Sequence, residues 1–224
     1  MKIKIIGSGG CVSTPRPCCD CRVCKEAREK GFPYARTGCS IYIEEIETLI
    51  DTPEDINYAL NHANVSKVEQ VLYSHADPDH TMGMRVFEQL KMDWLGCSVD
   101  KKNENLIEVL SLPKVIEELR EQKTFRGSVL DYYVWRGLIT VNGSYYVEKG
   151  DILKDGFILK LDNPLREELF IMEEILEIKE QFHIKNVIVT HLEEDWGKSY
   201  DDYAELEKEY DGIQFAYDGM EVEL

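Results

Sequence analysis

Val68-Glu69-Gln70-Val71-Leu72-Tyr73-Ser74-His75-Ala76-Asp77-Pro78-Asp79-His80 is a short apolar run that ends abruptly in a polar loop. Within six residues the loop offers His75, Asp77, Asp79 and His80, four side chains able to ligate a divalent cation. Borderline ions such as Zn²⁺, Mn²⁺ and Fe²⁺ take imidazole nitrogen and carboxylate oxygen. If the loop is extended, its two-residue offsets point His75, Asp77 and Asp79 one way, while adjacent Asp79 and His80 diverge toward a second ion. Two ions about 3.5–4 Å apart can share a bridging hydroxide and hold the attacking and leaving oxygens of a displacement. The plainer alternative is a solvated loop in which Asp79 caps the next helix.

Residues outward from the loop favour the first reading. Gly83 to Leu90 carries Met84, Phe87 and Leu90 at helical spacing, so the loop lies between a strand and a helix, where α/β folds collect ligands. Upstream, Ser40 to Glu44 and Thr48 to Ile50 read as a hairpin whose second strand stops at Asp51-Thr52-Pro53. Downstream, Asn186 to Thr190 is a buried-type strand ending at His191, a second histidine at a strand end. Further helices are expected over Glu54 to Asn61, from Pro113, over Glu167 to Glu180 and over Tyr200 to Tyr210. Strands are expected near Leu138 to Val141, Tyr145 to Val147, Phe157 to Leu161, Ile213 to Ala216 and Met220 to Leu224. His62 and His183 fall in helix or turn contexts that suit a surface role.

The amino terminus supplies a second cluster. After the strand Lys2 to Ile6 and a glycine turn, Cys11, Cys18, Cys19, Cys21 and Cys24 crowd a loop reaching about residue 39. In a reducing compartment such crowding suggests metal ligation over disulfides. Cys19, Cys21 and Cys24 can place three thiolates on one structural Zn²⁺; a set of free buried cysteines is the alternative. Cys97 has no visible partner.

The 224 residues suit one domain, 1–224, and the opening apolar stretch is too short for a signal peptide or membrane span. A cytoplasmic protein is expected. With 26 Lys and Arg against 43 Asp and Glu the formal charge is −17, which disfavours general nucleic-acid binding. A small-molecule substrate is the expected partner, and homo-oligomerisation stays open.

His75-Ala76-Asp77-Pro78-Asp79-His80 resembles the His-x-His-x-Asp-His signature of the metallo-β-lactamase superfamily, with Asp77 in place of the second histidine. Four further features are similar to the PhnP-like phosphodiesterase branch: the glycine turn, Cys19-x-Cys21-x-x-Cys24 with Gly38-Cys39-Ser40, Thr190-His191-Leu192, and Ala216-Tyr217-Asp218-Gly219-Met220. The resemblance implies an α/β architecture of the αββα metallo-β-lactamase type, a four-layer sandwich. It places His75 and Asp77 on one metal and Asp79, His80 and His191 on the other, with Asp51 in support. Asp162 is the candidate bridging carboxylate, ahead of Asp151 and Asp155; as a turn residue before Asn163-Pro164 it has another reading. The family's further histidine has no counterpart, since His183 alone lies between His80 and His191. The family's fourth ligand to the cysteine site falls at Glu194, with Glu193, Asp195, Cys18 and Cys39 as substitutes.

The function so implied is a metal-dependent hydrolase, a phosphodiesterase acting through a metal-bound hydroxide, with Asp79 and His80 at its catalytic centre. Asp77 shifts the preference toward Mn²⁺ or Fe²⁺ over Zn²⁺ in that site. Two other classes compete: a metal-stabilised binding or scaffold protein without turnover, and a di-iron redox protein.

Overall fold

A computed structural model describes residues 1–91, 106–124, 127–143, 157–160 and 172–223, with backbone only for 124 and 157–160. Asp151, Asp155, Asp162 and Cys97, the strand expected at Tyr145 to Val147 and the first part of the helix expected from Glu167 lie outside the described residues. The strands are β1 (Lys2–Gly7), β2 (Ser40–Ile43), β3 (Thr48–Ile50), β4 (Gln70–Leu72), β5 (Ile107–Leu110), β6 (Lys123–Thr124), β7 (Gly127–Ser128), β8 (Ile139–Asn142), β9 (Phe157–Lys160), β10 (Val187–Thr190), β11 (Ile213–Phe215) and β12 (Met220–Glu223). The helices are α1 (Arg22–Lys30), α2 (Ile56–His62), α3 (Pro78–Thr81), α4 (Val86–Lys91), α5 (Pro113–Glu121), α6 (Val129–Trp135), α7 (Met172–Gln181) and α8 (Tyr200–Leu206). Among the described residues no helix is long and apolar enough to cross a membrane.

Two compact units emerge, Met1–Lys4 with Ser40–Tyr146 and Ile5–Cys39 with Val147–Leu224. In the first, β2 and β3 pair antiparallel, and β3, β4, β5 and β8 follow as parallel neighbours. The buried Leu49, Val71, Val109 and Ile139 form the middle of that sheet. The β3–β4 register sets Ile50 beside Leu72, so the segments leaving both strands emerge side by side at their carboxyl ends.

The polar loop is shorter than the sequence suggests. Asp77 is extended (φ −63°, ψ 149°) and Pro78 occupies the first helical turn, so α3 begins five residues ahead of the expected Gly83. Proline's fixed φ and missing N–H suit that first helical position. Asp79 and His80 therefore stand on a helical turn instead of an extended loop. Thr52 N–H donates to His80 O, and Gly83 N–H to Thr52 O (both 2.8 Å), fastening the turn to the segment after β3. A Cβ on Gly83 would collide with the carbonyl oxygen of Pro53.

In the second unit β10 lies between β9 and β11, all parallel, and its four residues are buried. Val187, Val189 and Leu192 join Ile175, Tyr203, Ile213 and Phe215 in one apolar cluster. The chain expected to be a cysteine loop over about 11–39 instead contains α1, which buries Val23, Cys24 and Ala27 on one face. Cys21 caps it, its sulfur accepting from Cys24 N–H at 3.3 Å.

Asp218 closes this unit. Its carboxylate accepts Ser8 N–H (2.8 Å) and Oγ–H (2.7 Å) on one oxygen, and Thr37 N–H (2.8 Å) and Oγ–H (2.6 Å) on the other. Burial nevertheless pushes its pKa up to about 6, the four hydrogen bonds opposing the shift. A raised carboxyl pKa means that the folded state holds the proton longer, so this contribution to stability is present at low pH and is lost as pH rises through about 6. Denaturant unfolding should show the wild type losing about 1 kcal/mol between pH 5 and 7 relative to Asp218→Asn. A parallel pH dependence of the two proteins would refute the shift. Gly83→Ala should cost about 1–3 kcal/mol by the same measurement, since backbone would have to move.

Candidate metal centre

Asp51 follows β3 directly, in the left-handed region (φ 61°) that non-glycine residues seldom enter. Its N–H donates to Leu72 O at 2.9 Å, which aims the carboxylate at the neighbouring strand end. That carboxylate is 1% exposed and accepts Ser74 N–H (2.8 Å), Ser74 Oγ–H (2.7 Å) and the Nδ1 of His80 (3.1 Å). A carboxylate in this network accepts, so His80 Nδ1 carries the proton and Nε2 the lone pair. Ser74 has spent its one proton on Asp51, so its 2.8 Å contact with His75 Nδ1 is donated by the imidazole. With Nδ1 of each ring so engaged, Nε2 is the nitrogen left to face a metal, which histidine binds in its neutral form.

The two imidazoles lie 4.1 Å apart between centroids. Asp79 Oδ2 is 3.0 Å from His80 Nε2, and Asp77 Oδ2 is 3.6 Å from His75 Nε2. A lone pair facing a carboxylate is repulsive unless a cation, proton or metal, stands between them. Two ligands bound at about 2.0–2.2 Å to one ion are about 3–3.5 Å apart, the separation of these donors. The donor set fits a divalent metal.

The second unit holds its own arrangement. His191 follows β10, buried and at φ 64°, with Nδ1 3.8 Å from Glu193 Oε1. Leu192 anchors it: its N–H donates to Ser8 O (2.9 Å) and its carbonyl accepts from Gly10 N–H (3.2 Å). Glu193 also accepts Cys11 N–H at 2.6 Å.

Cys19, Cys21, Cys24 and Glu194 bring one donor atom each to within 4.8 Å of one another. Glu194 Oε1 is 2.9 Å from Cys21 Sγ and 3.4 Å from Cys19 Sγ, while its Oε2 pairs with Arg16 at 3.3 Å. Cys19 is drawn down by hydrogen bonds from the Cys21 backbone and Arg16, whereas the Glu194 carboxylate holds Cys21 up and burial pushes Cys24 up to about 12. Of the substitutes for Glu194, Cys18 is exposed and Cys39 instead meets Thr190 Oγ1 at 3.7 Å.

Ser74 and Arg16 have roles that sequence reasoning missed, and Glu193, expected as a substitute for Glu194, instead meets Cys11 N–H and lies near His191. A serine before a histidine gives no signal of a relay. Arg16 could have been suspected as a cation three residues ahead of Cys19.

The whole chain superposes on a diphosphatase of the PhnP family (TM-score 0.71, 18% identity, 100% of this chain and 96% of that one). It also matches Zn²⁺-bound PqqB from Methylobacterium extorquens (0.64, 13%, 100% of both). This chain has the metallo-β-lactamase fold. YhfI from Bacillus subtilis, described as a metallo-β-lactamase fold protein, agrees (0.62, 12%, 99% and 98%). No family model and no curated protein matches the sequence.

Asp51→Ala should lower Zn²⁺ or Mn²⁺ affinity 10–100-fold by calorimetric titration while leaving the cysteine site loaded, because only the orientation of His75 and His80 is lost. Affinity within twofold of wild type would refute the relay.

Proposed function

We propose that the chain is a metal-dependent hydrolase and that phosphodiesters are its substrates. The observation that carries the reading is the pair of imidazoles whose Nε2 atoms meet the Asp77 and Asp79 carboxylates, oriented through Ser74 and Asp51. His75, Asp77, Asp79 and His80 would hold the ions, with His191 as a further ligand by resemblance to the superfamily and Asp162 as the proposed bridge. Divalent ions held there would supply Lewis acidity and a water acidic enough to be a nucleophile near neutral pH. Asp51 keeps His80 in the Nδ1-protonated tautomer, and Asp79 is placed to take a proton or orient water. The three cysteines with Glu194 would hold a structural Zn²⁺ pinning α1 to the segment after β10.

Asp77, where the superfamily signature has histidine, favours harder ions. It also supports the second reading, a metal-stabilised scaffold without turnover. Hydrolysis of bis(p-nitrophenyl) phosphate with Mn²⁺ or Zn²⁺ discriminates. Turnover that falls at least 10³-fold in Asp79→Ala and His80→Ala is expected, and its absence with every ion would leave the scaffold. Chelation should separately lower the melting temperature, and Glu194→Ala should reproduce part of that loss.

A further inference from the structure

The second unit contains a cavity of about 630 Å³ between α8, β11 and β12, within the range of small-molecule sites. Arg36 lines it, although its side chain belongs to a residue only 2% exposed. Its Nε has no hydrogen-bond partner among the described residues. Its guanidinium lies 5.1 Å over the ring of Tyr203, and burial lowers its pKa. The Asp218 carboxylate is near enough to act on it through charge, but its close contacts are the four from Ser8 and Thr37. Tyr203 adds a second buried group to the same cavity, a hydroxyl with no hydrogen-bond partner among the described residues. A buried charge and a buried hydroxyl left in this state each cost free energy that an incoming acceptor would recover.

We propose that this cavity binds a small aromatic monocarboxylate, whose carboxylate accepts from Arg36 and Tyr203. The planar guanidinium matches a carboxylate two oxygens at a time, and the rings of Tyr200, Tyr203 and Tyr217 offer flat apolar area to its body. Glu207, Glu221 and Glu223 also line the cavity and set the charge limit. They repel polyanions such as nucleoside diphosphates and favour a ligand whose far end carries an ammonium group.

Calorimetric titration of the full chain with benzoate, phenylacetate and 4-(aminomethyl)benzoate tests the assignment, with benzylamine as control. Saturable 1:1 binding of the carboxylates is expected, strongest for 4-(aminomethyl)benzoate, with none for benzylamine. Tyr203→Phe, which removes one oxygen and keeps the ring, should weaken it five- to tenfold while leaving the fold at least as stable as wild type. Arg36→Lys should abolish it; should that variant fail to fold, Tyr203→Phe decides alone. No binding by any of the three carboxylates, equal binding of benzylamine, or affinity indifferent to Tyr203→Phe would overturn the proposal.

Discussion

The carboxylate of Asp51 is the interaction on which the candidate centre depends. It sits where two parallel strands stop in register, and it accepts from the backbone and hydroxyl of Ser74 and from the imidazole of His80. Through Ser74 it also fixes His75, so one buried charge sets the tautomers of two rings. The strained φ of Asp51 is a local cost at this strand end, and the hydrogen bonds it makes possible offset it. Gly83 belongs to the same constraint, because only a residue without a side chain lets the helical turn bearing His80 close against Thr52 and Pro53.

The second unit repeats the device in another setting. Asp218, also buried, draws together the glycine turn after β1 and the segment before β2 by accepting backbone and hydroxyl hydrogens from Ser8 and Thr37. The same glycine turn receives Leu192, so His191 is held by backbone on its carboxyl side. Short polar residues beside glycines serve here because a carboxylate needs two donors per oxygen in little space.

Much of this was legible because it is local. Apolar runs ending at Asp51, Ser74 and His191 mark strand ends, and β3, β4 and β10 stop within one residue of where periodicity places them. Pairing was not legible: nothing in Asp51 or Ser74 says that they are neighbours, since that follows from β3–β4 register. The start of α3 was misjudged because apolar periodicity begins at Gly83, whereas Pro78 opens the helical turn by fixing its own φ. Helix α1 was hidden by the eye that cysteines draw to metal chemistry. Its Val23, Cys24 and Ala27 face is the apolar signal that was there to read. Glu194 was named through the family resemblance, and its carboxylate meets the sulfurs of Cys19 and Cys21.

We propose that His75 and His80 share a cation with Asp77 and Asp79 through their Nε2 atoms. Anomalous diffraction from crystals grown with Zn²⁺ would locate that ion. A peak is expected within bonding distance of His80 Nε2 and Asp79, with Nδ1 of the same ring still on Asp51. A zinc peak at the cysteine cluster with none at these histidines would contradict it.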